Sequence, residues 1–156
     1  MPTDFVLRDQ ELMLEAMDQA HAAQAAGEVP VGAIILSPAG EVIARGSNRV
    51  LRDFDPTAHA EIVALRAAGS ALGNYRLSGC TLYSTLEPCS MCAGAILHAR
   101  ISRLVFAAAD PKAGACGSVI AVINHPALNH RVELVTGVLA ADCGKMLTDF
   151  FRAKRT

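Results

Sequence analysis

The sequence has no long apolar run and no strong excess of one charge. No hydrophobic stretch approaches the roughly 20 residues that a bilayer-spanning helix needs, so no membrane association is expected. Met1-Pro2-Thr3-Asp4-Phe5 has no basic segment ahead of an apolar one, so a secretory leader is not expected either. Internal repeats, low-complexity tracts and linkers are absent, and one domain over residues 1–156 is expected. Cysteine is odd in number: there are five, two of them in a Cys-x-x-Cys. A reducing, cytoplasmic setting with a metal site fits this better than a disulfide framework. The formal net charge of −1 does not advertise a nucleic-acid binder.

What is present points to a compact protein. Hydrophobic residues make up 52% and charged residues 19%, enough apolar content for a real core and too much for disorder. Charge is unevenly spread. Through residue 96 there are six Lys/Arg against eleven Asp/Glu, and eight against four thereafter. An acidic front and a basic back allow a local phosphate-binding face.

Leu12, Met13, Ala16, Met17 and Ala20 recur at helical spacing, which predicts a helix over residues 9–26 ended by Gly27. Val31–Leu36, the turn Ser37-Pro38-Ala39-Gly40 and Glu41–Arg45 predict a β-hairpin. A helix running from His59 to near Gly69 follows. The strand Cys80–Ser84, a helix ending near Ala99 and the strand Arg103–Ala108 form a βαβ unit, so those strands should be parallel. A loop, a short helix at Ser118–Ile123 and a second loop lead to a fifth strand, Val132–Val135, again expected to be parallel. The last helix, Leu139–Ala153, is expected to place Leu139, Cys143, Met146, Leu147 and Phe150 on its buried side. The fold class is therefore α/β, with a central five-stranded mixed sheet flanked by helices.

Two stretches carry the chemistry, Asp55-Pro56-Thr57-Ala58-His59-Ala60-Glu61 and Leu86-Glu87-Pro88-Cys89-Ser90-Met91-Cys92. Each opens a helix. Asp55 or Thr57 is expected to cap the first, and Pro88 suits the first position of the second. Cys89 and Cys92 are three apart and share a helix face. With His59 they supply three ligands, the usual number for a catalytic zinc with one open position. Glu61, at the same helix start as His59, can reach a shared pocket as a proton carrier. Cys80, Cys116 and Cys143 read as packing residues, His98 as structural or surface, and Arg49 and Arg52 as solvated.

His59-Ala60-Glu61 followed by Pro88-Cys89-Ser90-Met91-Cys92 resembles the H-x-E…P-C-x-x-C signature of zinc nucleobase deaminases. The wider sequence, from Glu28-Val29-Pro30-Val31-Gly32 to Asp149-Phe150-Phe151-Arg152, is similar to the bacterial tRNA adenosine deaminases. The resemblance implies a three-layer cytidine deaminase-like fold, one Zn²⁺ per chain, a homodimer, and hydrolysis of adenosine to inosine at the wobble position of a tRNA anticodon stem-loop. It implies Glu61 as catalytic proton shuttle, with hydroxide attacking C6 of a splayed-out base. It further implies that Asn48 and the backbone near Ala60 orient the base and that Val31 lines the pocket. Asp110 and Lys112 would approach RNA backbone and sugar. Asn129 and Arg131, with His125 and His130, sit in a loop that the family uses around the RNA, and Phe151 and Arg152 sit on its RNA-binding helix. Ala109 stands where the family often has Arg, which removes one phosphate contact.

Two other classes remain open. A free-base or nucleoside deaminase for guanine or cytosine would share the zinc chemistry, but not the Asp110-Pro111-Lys112 and Asn129-His130-Arg131 loops joined to a Phe-Phe-Arg helix. A non-catalytic zinc-bearing RNA-binding module would have no use for Glu61.

Overall fold

The computed structural model describes residues 3–155. In chain order the elements are α1 (Asp4–Ala25), β1 (Gly32–Leu36), β2 (Val42–Ser47), α2 (Ala60–Leu72), β3 (Thr81–Leu86), α3 (Ser90–His98), β4 (Arg103–Ala108), β5 (Glu133–Thr136) and α4 (Ala140–Lys154). They form one five-stranded sheet in the order β2-β1-β3-β4-β5. β1 runs antiparallel to β2 and to β3, while β3, β4 and β5 are parallel.

Alternation along each central strand sends side chains to two cores. Ala33 and Ile35 of β1, with Leu82 and Leu104, pack under Ala60, Ala64 and Ala68 of α2 and Ile96 of α3. Ile34 and Leu36, with Tyr83 and Val105, pack under Leu12, Met13 and Ala16 of α1 and Cys143 of α4. Both faces are covered, so β1 (GAIIL) and β4 (RLVFAA) are buried at every position. Gly46 sets the closeness of α2 to β2. A Cβ there would lie 2.3 Å from the Ala60 carbonyl oxygen and 2.7 Å from the Ala64 nitrogen, so only glycine lets this helix sit so near.

On the other face a buried polar cluster pins α1 to the sheet. Arg103 donates from Nη1 and Nη2 to Asp9 Oδ1 and Oδ2 at 2.9 and 2.6 Å, and the Tyr83 hydroxyl donates to Asp9 Oδ1 at 2.6 Å. Burial opposes the Asp9 charge, but these hydrogen bonds and the guanidinium outweigh it and hold the carboxyl below its usual range. Burial, with Asp9 as partner, pushes the Tyr83 hydroxyl far up. The Arg103 guanidinium also lies 4.5 Å from the Phe5 ring centroid.

Register explains where the site falls. Because β1 is antiparallel to β3, with Ala33 opposite Ser84, its start lies at the carboxyl end of β3. Gly32 pairs with Ser47, so the end of β2 lies there too. Val31, Asn48, Glu87 and Asp110 therefore emerge at one end of the sheet. The start of β5 pairs with the start of β4, Glu133 with Arg103, so the loop before β5 sits at the opposite end.

Three expectations are corrected. α1 begins at Asp4, not Asp9, because Thr3 Oγ1 caps it by accepting from Val6 N at 3.2 Å. Ser118–Ile123 is not helical. Its backbone folds back instead, with Gly117 N donating to Ile120 O at 2.9 Å and a bridge joining Cys116 and Ala121, and the amides of Cys116 and Ser118 turn to Glu87. Phe150 is only half-buried, since Lys154 covers its ring at 5.5 Å and Phe151 meets it edge-on at 5.4 Å.

Candidate metal centre and active site

His59 and Cys89 are each the extended residue immediately before a helix, α2 and α3, and neither uses its side chain as a cap. Both side chains are therefore free to turn over the helix starts. The expected caps do not form. Asp55 Oδ1 instead accepts from the Thr57 amide at 2.9 Å and its hydroxyl at 2.7 Å, a turn that sets up Ala58-His59. Pro88 lies one residue before the cap of α3, outside the helix.

His59 Nδ1 lies 3.6 Å from Cys89 Sγ and 3.5 Å from Cys92 Sγ. The three donor atoms lie within 4.8 Å of one another. A tetrahedral zinc with thiolate at about 2.3 Å and imidazole at about 2.0 Å separates sulfur from nitrogen by roughly 3.5 Å. The side chains thus already have the spacing that zinc requires. Without a cation between them, the three donors hold protons among themselves. Hydrogen bonds from Cys92 and then His59 hold the Cys89 thiol down to about 3. Cys89 in turn raises the His59 imidazole and, with burial, drives the Cys92 thiol far up. A thiolate crowded against a second sulfur and an imidazole is a cation site, and a coordinated thiol loses its proton outright. Three protein donors leave one tetrahedral position for water or substrate.

Glu61 is 4% exposed and shares the pocket wall with His59. Burial raises its carboxyl above the usual range, opposed by its own backbone N–H and by His59. A carboxyl tuned upward can both take and return a proton near neutral pH.

The pocket measures about 200 Å³. Val31, Asn48, His59, Ala60, Glu61, Cys89 and Asp110, all singled out in the sequence, line it, as do Val29, Leu86, Glu87 and Ala113, which were not. Asn48 is 8% exposed, and its Oδ1 accepts no hydrogen bond from the described residues. A groove of about 590 Å³ adjoins the pocket, sharing Val29, Leu86 and Asp110. Lys112, Phe151, Lys154 and Arg155 line the groove and Arg152 does not. Asn129 and Arg131 line neither cavity. Their loop lies at the other strand end, where His130 Nε2 meets the Ile101 carbonyl oxygen at 2.7 Å and Arg131 donates to the carbonyls of His125 and Pro126 at 2.6 and 3.1 Å.

Two buried carboxylates were missed. Glu87 Oε1 accepts from the Asp110 amide at 3.0 Å and from the Ser118 hydroxyl, and Oε2 accepts from the amides of Cys116 and Ser118 at 3.0 and 3.2 Å. Burial works against its charge, but these donors outweigh it and keep the carboxyl below its usual range. A Cβ at Gly114 would lie 2.6 Å from the Asp110 carbonyl oxygen as well as 2.4 Å from this carboxylate, so glycine is needed for the loop to close around it. Glu87 thereby fixes the segment that carries Asp110 into the pocket. Glu28 does the same for the segment after β2, accepting from the amides of Leu51 and Arg52 at 3.0 and 2.8 Å. The one available hint was an acid placed directly beside the motifs, in Gly27-Glu28-Val29 and Leu86-Glu87-Pro88.

A parallel βαβ unit with three soft donors and a buried carboxylate at the starts of two helices defines a zinc-dependent deaminase. Residues 7–108 match the cytidine and deoxycytidylate deaminase zinc-binding region, and the chain belongs to that family. Within it, the chain is 49% identical to the tRNA-specific adenosine deaminase of Haemophilus influenzae, over 94% of this chain and 85% of that one. The Bacillus subtilis tRNA-specific adenosine deaminase is 45% identical, over 95% and 91%. A solved structure from work on A-to-I editing by tRNA:A34 deaminases at the wobble position of transfer RNA has a TM-score of 0.84. It is 43% identical, over 88% of this chain and 99% of that chain.

Proposed function

We propose that this chain deaminates adenosine to inosine at the wobble position of a tRNA anticodon, as its A34-deaminase relatives do. The observation that carries the RNA half is that the two cavities are neighbours, with Val29, Leu86 and Asp110 in the walls of both. A base enters the inner pocket, and the larger groove takes the neighbouring nucleotides. Lys112, Lys154 and Arg155 supply positive charge along the groove and Phe151, 46% exposed, supplies a stacking face.

His59, Cys89 and Cys92 would hold a zinc ion, which would supply the Lewis acidity that brings the pKa of a water to about 7 and makes it a nucleophile at neutral pH. Glu61 takes the proton of the attacking water and hands it to the ring nitrogen of the base. The water oxygen bonds to C6 and the amino group leaves as ammonia, its extra proton carried by Glu61. Adenosine and water thus balance inosine and ammonia. Asn48 and the Ala60 backbone orient the base, and Val31 packs against it. Asp110 is held for the sugar and backbone, its Oδ1 accepting from the amides of Lys112 and Ala113 at 3.0 and 3.2 Å. Arg152, Asn129 and Arg131 would meet RNA only outside this groove.

The working form is read as a homodimer of single-domain chains in the cytoplasm. Leu51 and Phe54, 63% and 94% exposed in the segment between β2 and α2, support a covered surface there. Among the described residues no helix is long and apolar enough to cross a membrane. Light scattering on the purified protein tests the dimer.

Incubation with total tRNA followed by inosine sequencing, beside a panel of free bases and nucleosides, tests the activity. Inosine confined to the wobble position is expected. Turnover on free guanine or cytosine with none on tRNA would replace this reading by a small-molecule deaminase.

A further inference from the structure

Between α1 and β1, Glu28 is 1% exposed and carries no pocket atom, yet both its oxygens are in use. Oε1 accepts from Leu51 N at 3.0 Å, and Oε2 accepts from Arg52 N at 2.8 Å and Arg52 Nε at 3.2 Å. The same guanidinium reaches on. Its Nη2 donates to the Asn48 carbonyl oxygen at 2.6 Å and to Ser47 Oγ at 3.3 Å. The planar fork of arginine can bridge a carboxylate and a carbonyl in this way, whereas a single ammonium cannot keep all of these contacts.

Asn48 is thereby held at both ends of its backbone. Its N–H donates to the Val31 carbonyl oxygen at 3.2 Å, and its own carbonyl oxygen is held by Arg52. Only the side chain remains free, and that side chain lines the inner pocket with a buried, unpartnered Oδ1. Buried polar groups are nearly always paired, so an orphan held this firmly is reserved for a ligand. The pattern does not depend on the metal, because neither Glu28 nor Arg52 lines the zinc pocket.

We propose that Glu28 and Arg52 form a clamp that positions Asn48 for the substrate base, with Arg52 acting through Asn48 and not through RNA phosphate. The inference rests on the reading of Asn48 as a base-contacting residue.

A double-mutant cycle on the zinc-loaded protein tests it, with a synthetic anticodon stem-loop carrying adenosine at the wobble position as substrate. Arg52→Ala should lower kcat/KM by about tenfold or more, the effect of losing one hydrogen bond to a charged group. In the Asn48→Ala background the same change should cost less than about twofold, because the clamp then holds nothing. Arg52→Lys should recover part of the loss, and zinc content should stay at the wild-type level in every variant. A tenfold loss that persists in the Asn48→Ala background, or no loss from Arg52→Ala alone, overturns the clamp while leaving Asn48 in place. If Asn48→Ala by itself has no effect, both the clamp and the Asn48 reading fall.

Discussion

At the scale of single residues, burial decides what each carboxylate does. Glu61, Asp9, Glu28 and Glu87 are all 4% exposed or less, yet only Glu61 lacks donors enough to offset burial. Its carboxyl is raised, and it is the one that can exchange protons. Glu61→Gln keeps the shape and removes that ability. Activity should fall at least about 10²–10⁴-fold, the usual reach of general acid–base catalysis, with zinc content and stem-loop affinity unchanged. Near-normal turnover by the variant would remove Glu61 from the mechanism. Asp9 makes the opposite case. Its folded-state pKa is depressed below the unfolded value of about 3.9, so its stabilisation is complete above about pH 4 and is lost as pH falls through the lower value. Asp9→Asn leaves the buried Arg103 charge with only the exposed Glu133 carboxylate, 3.6 Å away, which should cost up to about 3–5 kcal/mol at neutral pH. Urea unfolding should show the gap between variant and wild type narrowing below about pH 4. A gap that stays constant with pH would mean that the pair contributes through packing alone.

At the scale of elements, short helices and loops present groups that their own sequences only partly announce. α2 and α3 begin at Ala60 and Ser90, each preceded by an extended cap residue, His59 or Cys89, so the metal donors sit before or within the first helical turn. α4 is amphipathic, but apart from Cys143 none of its residues is fully buried, so its last turn stays available along the groove. If Lys154 and Arg155 contact phosphates, replacing both by Ala should reduce the log–log salt slope of stem-loop binding by roughly one to two units. Phe151→Ala should weaken binding by about 1–3 kcal/mol if the ring stacks on a base. An unchanged slope, measured across a salt series, would move the phosphate contacts elsewhere. The segment after β4 shows the limit of local reasoning. Ser118–Ile123 has the composition of a short helix, but Glu87, 31 residues before Ser118, takes the Ser118 amide, and the carbonyls of Gly114 and Ala115 take those of Val119, Ile120, Val122 and Ile123.

At the scale of the whole molecule, the sheet brings three donors from two separate elements to one end, and zinc ties those elements together. The purified protein should contain about one zinc per chain. Chelation should abolish activity and lower Tm by several degrees, since each ~1 kcal/mol of binding shifts a chain of this size by about 2–4 °C. Elemental analysis without stoichiometric zinc, or full activity after chelation, would refute this. The sequence by itself determined the donor set, the mixed sheet and the parallel βαβ unit, because each is written in neighbouring residues: a helix start, a three-residue spacing, a strand–helix–strand period. Only the tertiary structure decided that Arg52 is not a solvated charge, that Glu28 and Glu87 hold the two loops of the pocket, and that Asn129 and Arg131 lie at the opposite end from Asn48 and Asp110. The physical reason is range. A buried carboxylate is satisfied by whatever amides the fold brings to it, here 23 to 31 residues away, and no local pattern records which ones they will be.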